Sequence, residues 1–383
     1  MNCITLEERI TDRMIERGVG QDAIEFFLSA RHQLDLGEQK LNWDDITPVT
    51  PSNVSELPDK GSEPYERLKA LGTSHLGRCA MVKLNGGRST TMGGQVPKCM
   101  VSAKDGMSFL DIVMRQVAAN NDTSGVEVPL VLMNSFFTDQ VSQEIVGRTP
   151  IILMNFVQNE YPRIRQDNLM PLETGEDEDW CPAGHGDFYH SFYGSGLVDA
   201  LLELGLRYVF VSNIDNLSAV LSPVILGMMI DQNRDFVMEV TAKTPVDVKG
   251  GAPVFYRDRL SLLEIAQVPE KYQDDFQDIE RFGYFNTNNL WIDLISLKKI
   301  MMEKKMQLPI IQNRKEINGH KIIQIETAMG AALSSFRQPG LFNVPRYRFA
   351  PVKKVSDLEQ LQSDEFELDS QYRIRRRGDE RVY

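Results

Sequence analysis

Cysteine is scarce in this chain, with four among 383 residues, and Cys3, Cys79, Cys99 and Cys181 form no C-x-x-C pair. Neither a zinc-site spacing nor a disulfide framework is present, so reduced thiols and a cytoplasmic location are expected. Positive charge is also short: 42 Lys and Arg face 54 Asp and Glu, for a net charge of -12. Sequence-neutral binders of nucleic acid or anionic membranes are normally basic, so no nucleic-acid and no membrane partner is expected. The longest apolar stretch, around 220–230, is too short to span a bilayer and contains Ser222 and Pro223. The N-terminus opens on the polar run Thr5 to Arg13, not on an apolar core behind a basic start. No signal peptide is therefore expected. There is no G-x-x-x-x-G-K-[ST] phosphate loop, internal repeat or low-complexity block.

What is present is ordinary globular material, 42% hydrophobic and 25% charged. Apolar spacing predicts helix over 5–35, then an extended surface connection through Pro48, Pro51, Pro58 and Pro64. The body alternates. Strands are predicted at Cys79 to Leu84, Pro129 to Asn134, Ile151 to Phe156 and Tyr208 to Ser212. Helices are predicted at Ser108 to Ala119 and Gly196 to Leu206. Alternating strands and helices imply an α/β fold with a mixed, mainly parallel sheet. The expected divisions are an N-terminal segment over 1–70, a main domain over 71–360 and a short tail over 361–383. The acidic run Glu173 to Asp179 is expected to be a solvated loop. Arg373, Arg375, Arg376, Arg377 and Arg381 are expected to form an exposed tail or a subunit contact.

In parallel sheets, ligands bind beyond the carboxyl ends of the strands. All four predicted strands end in polar clusters: Asn85-Gly86-Gly87, Asn134-Ser135, Gln158-Asn159 and Asn213-Ile214-Asp215-Asn216. The first opens the segment VKLNGGRSTTMGGQVPK, Val82 to Lys98. A glycine-rich loop brings main-chain N–H groups close to anionic oxygens, and here a lysine stands at its edge. A shared crevice with a phosphate cradle is the expectation.

Further blocks follow in order: PAGHGD (182–187), FVSNIDN (210–216), DVKGG (247–251), LLEIAQVP (262–269), FNTNNLW (285–291), ETAMGAA (326–332) and VPRYRFAPVK (344–353). With the glycine loop they resemble, in matching order from about residue 75 to about 360, the eukaryotic-type UTP–glucose-1-phosphate uridylyltransferases, or UDP-glucose pyrophosphorylases. The resemblance implies a Rossmann-like, GT-A-type nucleotidyltransferase domain. It implies that UTP and glucose 1-phosphate give UDP-glucose and pyrophosphate, with Mg²⁺ as cofactor. It also implies a C-terminal β-helix domain, for which the residues after Lys353 leave no room. The sequence is compatible with a monomer or a homo-oligomer.

Carried over residue by residue, the resemblance makes Lys98 and Lys353 the catalytic cations on the converging phosphates. Leu84, Gly86, Gly87, Arg88, Gln158, Gly184, His185 and Asp215 would line the nucleotide. Asn213, Gly251, Glu264, Asn286 and Asn288 would line the sugar. Asp215 is the metal or phosphate contact, with a strand-end cap as its bland alternative. His185 is a phosphate donor or a buried structural histidine. Lys249 could pair with Glu264, and Phe285 and Trp291 could be core instead of sugar-stacking surfaces. Mg²⁺ suits one or two carboxylates plus substrate phosphates. Amides and carboxylates suit a hydroxyl-rich ring.

The glycine loop departs from the family pattern. Arg88 replaces the usual Leu, Ser89 a Gly, and Val96 the Gly before Pro97-Lys98. Ser89 could strain the turn or push a hydroxymethyl towards the ligand. Arg88 could bind phosphate, change specificity or weaken the enzyme. The alternatives are thus a relative using another sugar or cyclitol 1-phosphate or another nucleotide, or a weakened UDP-sugar-binding homologue.

Overall fold

Strands rich in buried aliphatic residues assemble the central sheet. The structure is a computed structural model that describes residues 5–35, 41–89, 96–145, 149–175 and 177–378. Cys3, Arg381 and positions 90–95 of the glycine loop lie outside the described residues. The main sheet contains β1 (Ser55–Glu56), β2 (Cys79–Leu84), β3 (Leu130–Asn134), β4 (Leu153–Val157), β5 (Tyr208–Asn213), β6 (Phe236–Ala242), β7 (Tyr284–Asp293) and β8 (Pro339–Asn343). Their spatial order is β1-β8-β6-β7-β5-β2-β3-β4. Strand β7 runs antiparallel to both neighbours, and every other ladder is parallel. The mixed, mainly parallel α/β sheet expected from the alternation is what forms.

Period-2 alternation gives the sheet two buried faces. Cys79, Met81, Leu130, Leu132, Tyr208 and Phe210 face one core, beneath the helices Glu63–Thr73, Phe109–Ser124 and Pro223–Asp231. Ala80, Val82, Val131, Met133, Val209 and Val211 face the other, beneath Phe188–Gly194, Leu197–Glu203 and Leu294–Met302. Lys83 and Ser212 continue the first face, paired in register across β2 and β5. The parallel quartet β5-β2-β3-β4 puts its four carboxyl ends side by side on one edge.

Several boundaries differ from the spacing-based expectations. The helix expected over 5–35 is two helices, Leu6–Glu16 and Gln21–Asp35, because the chain turns at Gly18 with φ +76°. The helix capped by Ser108 runs from Phe109 to Ser124, past the expected end at Ala119. Ser108 caps it in a reciprocal box with Asp111, and Asn121 turns its amide onto the Val128 backbone. The strand expected from Ile151 begins at Leu153, and the helix expected to reach Leu206 stops at Glu203.

Two charged segments are also more structured than expected. In the acidic run, Asp179 is buried and accepts from the Thr174 and Gly175 backbone. Glu173 and Asp177 bind Arg9, Arg13 and Arg17 of the first helix. The C-terminal arginines belong in part to a hairpin, Phe366–Leu368 with Ile374–Arg376. There Asp369 pairs with Arg373 and Arg375, and Ile374 is buried.

The helices Glu63–Thr73 and Pro223–Asp231 cross at backbone contact. A Cβ on Gly72 would collide with the Pro223 carbonyl, and one on Gly227 with the Leu68 carbonyl. Overpacking against rigid backbone costs about 3 kcal/mol. Gly72→Ala is therefore expected to lower unfolding free energy by about that amount in urea titration. A loss under about 0.5 kcal/mol would contradict this crossing.

Candidate functional site

The residues expected to line the crevice gather over the carboxyl ends of the quartet. Beyond β2, Leu84 leads into Asn85, Gly86 and Gly87. The buried Asn85 amide donates to Asn134 Oδ1 (2.8 Å) and Ser142 Oγ (2.9 Å), tying this turn to β3. The Ser135 hydroxyl donates to the Gly86 carbonyl at 2.9 Å. Gly86 is packed so closely that a Cβ there would collide with the Gln158 carboxamide. Gln158 follows β4, is 8% exposed, and keeps Oε1 buried without a protein hydrogen-bond partner. A side-chain amide and the Gly86–Gly87 backbone thus meet where a pyrimidine edge was expected.

Gly184 and His185 enter from the turn His185–Asp187. This turn is held to the end of β4 by Asp187, which accepts from the Asn159 N–H (2.7 Å) and side chain (2.9 Å). Burial pushes the Asp187 carboxyl up to about 7. His185 accepts the Met329 N–H on Nδ1 at 2.9 Å, so the neutral ring carries its proton on Nε2. Desolvation by the surrounding protein, and then the charge of Lys353, push its pKa down to about 4, although the residue is exposed. His185 is thus not the buried structural histidine that was one expectation; it anchors Met329 and leaves one N–H donor.

The centre of the crevice is ionic. Lys98, whose N–H donates to the Gly87 carbonyl at 3.0 Å, pairs through Nζ with Asp215 Oδ2. Asp215 is 7% exposed, and its Oδ1 is buried without a protein partner. Val352 N–H donates to the Asp215 carbonyl at 3.2 Å, which brings the next residue, Lys353, to the same loop. The Lys353 ammonium lies 5.9 Å from the Phe349 ring centroid, and His185 and Glu264 both feel its charge. Among the described residues, no group of three or more His, Cys, Asp or Glu side chains forms a metal cage. One orphaned carboxylate oxygen fits a Mg²⁺ that takes its other ligands from phosphates and water.

On the far side, Asn213 Oδ1 accepts from Asn288 Nδ2 at 2.8 Å. Asn288 sits in a bulge of β7, where Thr287 to Asn289 lie opposite Glu239 alone. Its φ is +60°, and its Oδ1 is buried and unpartnered. The bulge turns Asn288 across to β5, while Asn286 accepts the Asn288 N–H on Oδ1 and keeps Nδ2 beside Gly330. Asn286 N–H donates to the Gly251 carbonyl at 2.8 Å. A Cβ on Gly251 would strike the Glu264 carboxylate, so that carboxylate rests on bare backbone. Burial raises the Glu264 pKa, against the charges of Lys353 and Lys243. These two, not Lys249, are the cations coupled to it. Phe285 and Trp291 are both core, 3% and 0% exposed.

The departures in the glycine loop lie off this line. Ser89 is buried, and its hydroxyl donates to the Val96 carbonyl within its own loop at 2.8 Å. It is not among the described residues with positive φ. The expected strain and the hydroxymethyl aimed at ligand are both absent at Ser89. Arg88 stacks over Phe137, in the field of Glu178, Asp177 and Arg163.

Sequence reasoning missed the buried charges beneath the crevice: Lys83, Lys243, and the Glu239–Arg348 pair. Lys83 is fully buried, donates to Ser212 Oγ and the Ala219 carbonyl, both at 2.8 Å, and is pushed down to about 7 by burial. Charged residues inside apolar strands, VKL and FVMEVTA, were the available signal.

The model of the UTP–glucose-1-phosphate uridylyltransferase family matches residues 24–381. The chain belongs to the UTP–glucose-1-phosphate uridylyltransferase family. The enzyme of that name from Hordeum vulgare is 43% identical over 358 residues, covering 91% of this chain and 75% of the relative. The crystal structure of UDP-glucose phosphorylase from Trypanosoma brucei superposes with a TM-score of 0.85 at 34% identity, over 97% of this chain and 81% of that one. A Leishmania major UDP-glucose pyrophosphorylase variant in complex with UDP-glucose gives a TM-score of 0.85 at 32% identity, over 97% and 82%.

The histidine geometry has a pH consequence. The unfolded ring takes a proton near 6.5, whereas the folded ring does so only near 4. This site's contribution to stability is therefore full above about pH 6.5 and is lost as pH falls towards 4. In a histidine-labelled NMR titration, the His185 resonance is expected to stay neutral from about pH 8 to about pH 5. A His185 titration between about pH 6 and 7 would contradict the lowered pKa of this ring.

Proposed function

We propose that this chain transfers the uridylyl group of UTP to glucose 1-phosphate, giving UDP-glucose and pyrophosphate. The observation that carries this reading is a row of three orphaned buried acceptors around one ionic centre: Gln158 Oε1, Asp215 Oδ1 and Asn288 Oδ1. A buried acceptor left unpaired costs about 1–3 kcal/mol, so each of the three is open to a hydrogen bond from a ligand group or from water. A uracil imide, a metal-bearing phosphate and a sugar hydroxyl answer the three in turn. Family membership supports the same assignment of substrates.

In this reading a phosphate oxygen of glucose 1-phosphate attacks the α-phosphorus of UTP in line. The bond from that phosphorus to the oxygen bridging the β-phosphate breaks, and pyrophosphate leaves. Such transfers need positioning and charge neutralisation more than covalent chemistry. Lys98, moving from Asp215 to the UTP phosphates, would offset negative charge on one side. Lys353 would offset it where the second phosphate arrives. His185 would donate from Nε2 without titrating near neutral pH. The Gly86–Gly87 backbone and Gln158 would read the uracil. Glu264, Asn213, Asn286 and Asn288 would hold the glucose hydroxyls, with Glu264 resting on Gly251. Mg²⁺, held by Asp215 and the phosphates, would supply Lewis-acid stabilisation of phosphoryl oxygens. A cytoplasmic location belongs to the same proposal and rests on three buried, unpaired thiols.

The departures at Arg88 and Ser89 favour no other nucleotide or sugar, since Ser89 faces its own loop and Arg88 stacks on Phe137. The test is pyrophosphate release with Mg²⁺ across a matrix of nucleoside triphosphates and sugar 1-phosphates. Turnover is expected with UTP and glucose 1-phosphate, and turnover only with other pairs would sink the proposal. Lys98→Ala and Lys353→Ala are each expected to lower kcat by about 100-fold or more while the fold persists. A near-normal rate in either variant removes the role given to that lysine.

A further inference from the structure

Beneath the crevice, a buried ion pair joins the two loops that carry Asp215 and Lys353. Glu239 stands in the middle of β6 and is 0% exposed. Its carboxylate accepts from Arg348 Nε at 2.9 Å and Nη2 at 2.8 Å. It also accepts from Trp291 Nε1 at 2.9 Å and Asn289 Nδ2 at 3.1 Å. Arg348 is itself buried and lies on the segment that leads to Lys353.

From this anchor Arg348 reaches the Asp215 loop along more than one path. Its Nη2 donates to the Val220 carbonyl at 3.1 Å, and its own carbonyl accepts from Asn216 Nδ2 at 3.0 Å. Asn216 Oδ1 in turn accepts the Ala350 N–H at 3.2 Å, and the Asp215 carbonyl accepts the Val352 N–H at 3.2 Å. Lys83 holds the neighbouring Ala219 carbonyl. Two buried basic side chains thus donate to consecutive carbonyls of one loop, and neither is among the residues expected to line the site. A buried ion pair adds little net stability over a well-packed apolar replacement. Its planar fork, by contrast, fixes direction on both sides.

We propose that Arg348 is a positioning residue: held by Glu239, it sets the Asp215 loop and the Lys353 segment in one register, so that carboxylate and ammonium address the same phosphates. This inference rests on the nucleotidyl-transfer reading above. Small misplacements of reacting groups cost about 100-fold in rate, so the device acts on kcat.

The test uses the full chain and the double substitution Glu239→Gln with Arg348→Met. It removes both charges together and leaves an acceptor for Trp291. The thermal midpoint is expected to stay within about 4 °C of wild type. KM for both substrates is expected to stay within about threefold, while kcat falls about 100-fold. A folded double variant with kcat within about threefold of wild type would show that the pair only fills the core. A parallel loss of kcat, both KM values and thermal midpoint would also overturn the proposal, as general distortion. Should the double variant not fold, Arg348→Lys decides, because it keeps the charge and loses the fork. For it, a fall in kcat of about tenfold or more at unchanged KM supports the proposal, and a wild-type kcat overturns it. Wild-type protein that makes no UDP-glucose defeats the functional reading. The ratio of variant to wild type, on whichever pair the wild type turns over, tests the positioning role separately.

Discussion

Asp215 is the carboxylate on which the crevice depends. It follows a buried strand by two residues, gives one oxygen to Lys98, keeps the other buried and unpartnered, and offers its carbonyl to the segment bearing Lys353. A carboxylate in such a place is costly unless cations and hydrogen bonds surround it. Here the ammonium of Lys98 lies against one oxygen, and the segment that carries Lys353 is tied to the Asp215 carbonyl. The parallel quartet brings these parts to one edge, and the bulge in β7 brings Asn288 to Asn213 beside them.

Much of this was legible in the sequence. The buried runs Cys79 to Leu84 and Tyr208 to Ser212 are apolar on both faces, as strands covered by helices must be. Polar clusters at the ends of four such runs pointed to a shared crevice, and the structure sets those ends side by side. Lys98 and Asp215 were named from separate motifs and form an ion pair. Gly251 and Glu264 were named from two others and lie in contact.

The rest depended on three-dimensional context that local pattern does not carry. Ser89 in place of glycine suggested strain or intrusion, but its hydroxyl bonds back to Val96, a contact seven residues away that spacing cannot foresee. The acidic run is exposed at Glu173, Glu178 and Asp177, as expected of a solvated loop, but its ion pairs were hidden because Arg9, Arg13 and Arg17 lie more than 150 residues earlier. The Glu239–Arg348 pair spans 109 residues of sequence and closes only when β6 and the final segment pack together. The bulge in β7 sets Asn288 at φ +60°, which no strand-forming pattern announces.

The most direct measurement is a crystal structure of this chain with UDP-glucose bound. The account places the uracil against Gln158 and Gly86, the phosphates between Lys98, Asp215 and Lys353, and the glucose against Glu264 and Asn288, with Lys98 drawn from Asp215 to the phosphates. A nucleotide bound elsewhere, or in the same crevice with the sugar at the Gln158 end, would contradict it.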